Sequence, residues 1–321
     1  MLKLEELYRL AIEAGIKADQ RPRAEIERLL KDEQEGFDKL SDKEKKRFDK
    51  DRLVNPFADS RILFGDLATE IESALVGIDI GPAEVLLADR LRAGGSSVDL
   101  VLAHHPSGRA LAALADVMNL STDLWAEKGM PIGQAESVFA GRIKEVQTSV
   151  TASNHCRTVD AARLLGFPFM CIHTPADNSV AKFLTDKIAE TKPYLLGDVI
   201  DLLFEIDEYK GYAAEAVGPR IVVGSKKSRT GDVFVDMTGG TSGPDGLYKL
   251  IARSTQISTI VCMGISPSHK KEIEKHNLNC ILAPHMPSDT LGLNLILDSF
   301  ESRGGLSVVE CSGFRRVNRA R

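Results

Sequence analysis

Short aliphatic runs alternate with longer amphipathic segments from about residue 61 onward, and this alternation constrains the fold more than any other feature. It is typical of strand–helix units around a largely parallel sheet. A first series has predicted strands at 75–80, 99–103 and 169–172. A second series has predicted strands at 220–223, 232–237, 259–263, 279–283 and 307–310, with helices near 245–254, 267–276 and 288–302. The sequence therefore predicts an α/β protein with two similar domains.

The predicted domain limits follow from the length of the chain and from changes in its pattern of charged and apolar residues. A chain of 321 residues is about twice the size of one ordinary domain. Residues 1–60 are dense in charge, and their first apolar residues recur at helical spacing, which predicts a helical extension. The first α/β domain is predicted at 61–200 and the second at 201–321, with the boundary between about 179 and 215.

Composition narrows the classes of function. With 41 basic and 46 acidic side chains the net charge is −5, so nucleic acid is not an expected partner, although arginines at 315, 316, 319 and 321 make a basic tail. No apolar window is long enough to span a membrane, and the charged N-terminus does not resemble a signal peptide. Five widely spaced cysteines, mostly within apolar runs, predict reduced, buried thiols in a cytoplasmic protein.

Four of the seven histidines directly follow predicted strands: His104, His105, His173 and His285. Ligands and catalytic groups gather at the carboxyl ends of strands in open α/β sheets. His173 and His285 also begin the same pattern, H-x-P-x-D, which ends at Asp177 and Asp289. Proline suits the first turn of a helix, so each histidine is predicted to end a strand and each aspartate to lie in the next helical turn.

Two explanations fit one copy of this pattern. The aspartates can simply complement the positive end of a helix dipole, which is common. Two copies together with a His-His pair favour a metal site in a cleft that both domains share. The resulting set is His104, His105, Asp177, His285 and Asp289. Three imidazoles and two carboxylates suit two divalent ions such as zinc, iron or manganese, with open positions typical of catalytic sites.

A glycine-rich segment at 238–246 follows a predicted strand and precedes a predicted helix. It lacks the Lys-Ser/Thr ending of a P-loop and the spacing of a dinucleotide fingerprint. A tight strand-to-helix turn is the favoured interpretation, and phosphate binding at the helix start is the alternative.

Three motifs in the same order resemble the NIF-three-like family, whose members are also described as homologues of type 2 GTP cyclohydrolase I. The stretch from Asp99 to Pro106 is similar to the family's DLIITHHP, and His173 to Asp177 is similar to HTxxD. His285 to Asp289, followed by Gly292, is similar to H-x-x-S-E-x-x-G. Weaker matches include Val76 to Asp79, and Asp59 within the stretch 56–65.

The resemblance implies two α/β domains facing one cleft, a dinuclear metal centre held by the same five residues, and a ring-shaped homo-hexamer. Two departures stand out: Asp289 replaces the family's longer glutamate, and residues 1–55 precede its usual start. His173 and His269 are the candidates for orienting groups or proton carriers.

The predicted function is metal-dependent hydrolysis of a small molecule, namely a nucleotide or another phosphorylated compound. The reaction that the family name suggests is GTP ring opening, in which a metal-bound hydroxide attacks the purine. The alternative is a metal-binding interaction or regulatory protein without turnover. Turnover that is lost on chelation, while the fold remains intact, distinguishes the two.

Overall fold

A computed structural model describes residues 1–301 and 303–319 of the chain. The described residues form fourteen α-helices and eleven β-strands. Two predicted features, the helix end at Ser302 and the basic tail at Arg321, fall outside the described residues. No described helix is both long enough and apolar enough to cross a bilayer.

The strands are short and form two main sheets and one small ribbon. Their bounds are β1 Leu2–Lys3, β2 Arg61–Phe64, β3 Glu70–Ile71, β4 Ser73–Gly77, β5 Leu100–Ala103, β6 Phe169–Cys171, β7 Arg220–Val223, β8 Asp232–Asp236, β9 Ile257–Cys262, β10 Asn279–Leu282 and β11 Ser307–Cys311.

The helices lie between and around these strands. Their bounds are α1 Leu4–Ala18, α2 Arg23–Asp38, α3 Asp42–Lys45, α4 Pro82–Ala93, α5 Gly108–Ala112, α6 Asn119–Glu127, α7 Ile132–Thr151, α8 Arg157–Leu165, α9 Thr174–Thr191, α10 Leu196–Phe204, α11 Asp207–Ala213, α12 Leu247–Ser254, α13 Pro267–Lys275 and α14 His285–Glu301.

The two main sheets confirm the predicted α/β class with two similar domains. The first has the order β11-β4-β5-β6-β2, and the second has the order β7-β10-β9-β8. All neighbouring strands are parallel except β2 and β7, which pair antiparallel at one edge of each sheet. Strands β4 and β5 are buried along their whole length, which explains their continuous aliphatic sequences.

The last strand lies in a different sheet from the one predicted. Residues 307–310 belong to the second predicted series, but β11 pairs in parallel with β4 of the first sheet, with Ser307 opposite Ser73. Beyond the strand, Ile78 donates a backbone hydrogen bond to Ser312. An aliphatic run predicts a strand but does not predict which strand it pairs with. Sequence order alone therefore assigned residues 307–310 to the wrong sheet.

The first helix of the predicted N-terminal extension packs into the main core. Leu4, Leu7 and Ala11 of α1 have no exposed surface and belong to the main hydrophobic cluster. Gly15 lies so close to α9 that a Cβ atom there would stand 2.6 Å from Pro175. The apolar face of α1 is therefore covered by the first domain.

Helices α9 and α14 pack directly against each other and place the two H-x-P-x-D motifs side by side. A Cβ atom on Gly292 would stand 2.5 Å from the backbone oxygen of Ala176, so the close approach requires glycine. His173 lies immediately before α9, as the motif predicts. His285 differs, because it is the first residue of α14 and β10 already ends at Leu282.

The cysteines are free thiols in the structure. Cys171, Cys262 and Cys280 are buried as predicted, whereas Cys156 is exposed and Cys311 is half-buried. Cys156 precedes a surface helix and not a strand, which accounts for its exposure.

Candidate metal centre

Six imidazole and carboxylate side chains converge where β5, β6 and β10 end. His104 and His105 follow β5, His173 follows β6, Asp177 lies in the first turn of α9, and α14 carries His285 and Asp289. Their ligand atoms form three overlapping groups in which all members lie within 4.8 Å of one another: His104–His105–His173, His105–His285–Asp289 and His104–Asp177–Asp289. We call these six residues the central cluster.

Asp289 is the hub of the central cluster. Its Oδ2 lies 3.2 Å from His285 Nε2 and 3.5 Å from His105 Nε2. Its Oδ1 lies 3.6 Å from His104 Nε2. Asp177 approaches the same histidine, with Oδ1 3.4 Å from His104 Nε2. Imidazole nitrogens from the first domain therefore meet carboxylates from both H-x-P-x-D motifs.

Three of the imidazoles are oriented by acceptors at their outer nitrogens. His104 Nδ1 lies 3.1 Å from the backbone oxygen of Ile172, and His105 Nδ1 lies 2.7 Å from Asp79 Oδ1. His173 Nδ1 lies 2.8 Å from Asp59 Oδ2. Since these oxygens accept hydrogen bonds, each Nδ1 carries a proton, and Nε2 is the nitrogen that faces the cluster and can bind a cation once it is deprotonated. Such outer acceptors are typical of histidines that bind metal.

The inner atoms of the central cluster have no hydrogen-bond partners. Both carboxylate oxygens of Asp289 and Nε2 of His104 are buried and unpartnered. Buried polar atoms without partners are costly, and a buried carboxylate is especially so. A divalent cation would satisfy all three atoms at once, so the residues present fit a metal centre.

Burial and neighbouring charge perturb the protonation of the cluster. Burial lowers the pKa of His104 to about 3, which keeps this imidazole neutral. Burial raises the pKa of Asp177 to about 6, although His173 opposes the shift. Burial would lower the pKa of His173, but Asp177 and Asp59 outweigh it and raise the value to about 9. Protons held at these positions are released when a cation binds, so metal affinity increases with pH.

The structure brings the five residues predicted as ligands into the central cluster, and it adds His173, whose Nε2 lies 3.7 Å from Asp177 Oδ2. His269 lies apart from the cluster. It pairs through Nε2 with Asp245 Oδ1 at 3.2 Å, and its ring contacts Tyr248. The shorter side chain of Asp289 still reaches three histidines, because α14 begins at the edge of the cluster.

The acceptor roles of Asp59 and Asp79 were not predicted. Both positions were only weak points of family resemblance in the sequence. Asp59 is fully buried in the segment before β2, where it also accepts a hydrogen bond from Thr174. Asp79 follows β4 and lies next to the end of β5 because the two strands pair.

A cavity of about 510 Å³ opens beside the central cluster. Residues of both domains line it, so it is the shared cleft. The first domain contributes His105, His173 and Asp177, and α14 contributes His285, whose side chain is 53% exposed. The second domain contributes Asp236 at the end of β8, the glycine-rich turn that follows it, and His269 of α13.

Solved structures share this architecture. A NIF3 superfamily protein from Sphaerobacter thermophilus is 28% identical, with a TM-score of 0.69 over 80% of this chain and 91% of that chain. The resemblance to the NIF3 superfamily is confirmed. HcgD from Methanocaldococcus jannaschii is 14% identical with a TM-score of 0.49, over 78% of this chain and 89% of that chain. No protein-family model matches, and no curated protein matches in sequence.

The NIF3 superfamily likeness agrees with the geometry of the cleft. The similarity covers 80% of this chain, so it is a property of the whole fold and not of one motif. The six-residue cluster lies where the two domains meet, at strand ends of both sheets.

Proposed function

We propose that this NIF3-like protein is a metal-dependent hydrolase with a dinuclear centre in the shared cleft. The observation that carries the proposal is Asp289, a fully buried carboxylate whose two oxygens lack hydrogen bonds while three imidazole Nε2 atoms lie within 3.6 Å. Four imidazoles and two carboxylates exceed what one four-coordinate ion needs. Zinc, iron and manganese are the ions that suit this mixture of nitrogen and oxygen.

The residues of the cleft have separate roles in the proposed reaction. Bound divalent metals supply activated water and polarise a substrate oxygen. His104, Asp177 and Asp289 are buried and would hold the ions. Asp59 and Asp79 accept hydrogen bonds from Nδ1 of His173 and His105, which orients Nε2 of each ring toward the ions. His269 lines the same cavity and pairs with Asp245. This position supports a proposed role for His269 as a proton carrier for the substrate.

The cavity supports a small-molecule substrate. A volume of about 510 Å³ suits one nucleotide-sized ligand. Among the described residues lining it, none is Lys or Arg, so the negative charge of a phosphate would be balanced chiefly by the metals. GTP and other nucleotides are therefore the first substrates to examine. The resemblance also supports a homo-hexamer, which light scattering tests against chains of 35.0 kDa each.

Elemental analysis tests the metal centre. After reloading with excess zinc or manganese and desalting, we expect about two ions per wild-type chain. His105→Ala should lose one ion preferentially, and Asp289→Asn should lose both because Asp289 contacts three of the imidazoles. Asp201→Asn, at an exposed position on α10, is the matched control and should keep both ions. A wild-type content of one ion or fewer contradicts the dinuclear centre.

A substrate panel tests the hydrolase. Metal-loaded protein should release product from at least one nucleotide or phosphorylated compound, and a chelator should abolish release while circular dichroism stays unchanged. His269→Asn should lower turnover without changing metal content. No turnover across the panel, combined with chelation-sensitive binding of another protein, would instead favour a regulatory metal-binding protein.

A further inference from the structure

Asp236 is an unsatisfied carboxylate in the wall of the cleft. It is the last residue of β8 and lines the cavity together with the central cluster. In the part of the chain that the structure describes, the side chain of Asp236 makes no hydrogen bond and no ion pair, although its backbone pairs with Cys262 of β9. Burial alone raises its pKa to about 6, because no basic group faces it to oppose the shift.

Such a group requires an explanation. A carboxylate that is largely removed from water without a partner destabilises the folded protein, and uncompensated groups of this kind concentrate at functional sites. The cavity lining offers Asp236 neither Lys nor Arg among the described residues. Asp236 also lies outside every described group of residues that could hold a metal ion. Its partner is therefore best supplied by a ligand that carries hydrogen-bond donors.

The neighbouring turn complements this acceptor. Amide groups of residues 239–243 donate no hydrogen bond within the described ranges. Gly239 and Gly240 have φ angles of 100° and 81°, and Arg142 hydrogen-bonds to Ser242 from outside the turn. The side chains of Tyr248 and Met263 add aromatic and apolar surface to the same cavity. The wall thus offers a carboxylate, free N–H groups and a surface for a planar ring.

We propose that Asp236 is a specificity-determining residue that binds paired N–H donors on a planar substrate group of the amidine type. An amidine edge, as in a 2-amino nitrogen heterocycle, presents two parallel N–H groups that match the two oxygens of one carboxylate. The turn amides then donate hydrogen bonds to a ring carbonyl or a phosphate of the same ligand. This inference names a substrate class for the proposed hydrolase, and any effect of Asp236 on turnover rests on that proposed function. Binding of the ligand to Asp236 can be measured without turnover.

Benzamidine is a direct probe, because it carries the paired donors on a planar ring and no phosphate. Full-length, metal-loaded protein is titrated with benzamidine by calorimetry at pH 7.5, above the pKa of Asp236. Asp236→Asn should weaken binding by about 10- to 100-fold, the loss that accompanies removal of a charge-assisted pair of hydrogen bonds. Asp232→Asn changes an exposed carboxylate at the other end of β8 and should leave the affinity within about twofold.

Two comparisons separate this inference from the proposed function. Benzamide, which replaces one N–H side of the amidine with a carbonyl, should bind wild type more weakly than benzamidine. Metal content should be equal in wild type and Asp236→Asn. Weaker benzamidine binding by the variant can then not be explained by loss of metal. Asp236→Ser is the second variant if the asparagine protein does not fold. Equal benzamidine affinity in wild type and a folded Asp236 variant, or no binding to wild type, overturns the inference.

Discussion

Asp59→Asn tests whether the outer acceptors control metal binding. Asp59 is buried, and its Oδ2 accepts hydrogen bonds from His173 Nδ1 at 2.8 Å and from Thr174 Oγ1 at 2.7 Å. Its Oδ1 accepts from Ser60 Oγ at 3.2 Å. Asparagine preserves the shape but removes the charge. It also replaces one acceptor oxygen with a donor NH₂ group, so the hydrogen bond to His173 becomes neutral or is lost.

The magnitude follows from that change. A hydrogen bond to a charged acceptor contributes roughly 1.5–3 kcal/mol, against about 0.5–1.5 for a neutral one. The difference of about 1–2 kcal/mol makes His173 a poorer ligand, and it corresponds to roughly 5- to 30-fold weaker metal binding. Asp79→Asn should have a smaller effect, because the side chain of Asp79 is 70% exposed and water can replace it.

Competition with a metal-binding dye measures the affinity at pH 7.5. Circular dichroism and the thermal midpoint establish that each variant is folded, and Asp201→Asn is again the matched surface control. The expected order of zinc affinity is wild type and Asp201→Asn first, then Asp79→Asn, then Asp59→Asn. If Asp59→Asn binds zinc as tightly as Asp201→Asn, the orientation of His173 does not contribute to metal binding.

Three further predictions concern stability. Leu7→Ala should lower the free energy of unfolding by about 2–5 kcal/mol in urea titrations, because the side chain is fully buried in the main core, whereas Leu164→Ala, at a position 74% exposed, should change it little. Gly292→Ala should cost roughly 1–3 kcal/mol by forcing α9 and α14 apart, while Gly141→Ala, with nothing within 4 Å, should be neutral or stabilising. Asp236→Asn should raise the thermal midpoint at pH 7.5 but not near pH 4. The folded pKa of about 6 exceeds the ordinary 3.8, so ionisation penalises the folded state increasingly between these values, by at most about 3 kcal/mol. An equal midpoint shift at both pH values would contradict that explanation.

Local sequence signals predicted the elements well. The helix predicted near 267–276 occupies Pro267–Lys275, since proline suits its first turn. The edge strand Arg220–Val223 has its predicted bounds. These elements depend on signals contained within a few residues. By contrast, the pairing of β11 with β4 depends on which aliphatic edge is free after folding, and no local pattern encodes that.

The same distinction applies to the central cluster. The histidines and aspartates stood out because strand ends and repeated motifs place chemistry at predictable positions. The acceptors Asp59 and Asp79 act on histidines 114 and 26 residues away, so their roles emerge only from the pairing of strands and loops in space. Asp236 showed no sequence signal at all, because an ordinary strand end becomes notable only when the folded structure leaves it without a partner.

The return of β11 to the first sheet has a consequence for biosynthesis. Until residues 307–311 leave the ribosome, β4 remains an open edge and the first sheet lacks its final strand. Strands β7 to β10 of the second sheet all precede β11 in the chain, so the second sheet can assemble while the first is still incomplete. A nascent chain therefore exposes an aliphatic strand edge until β11 emerges, and that edge is a site for chaperone capture or mispairing. Emergence of residues 307–311 then completes the sheet.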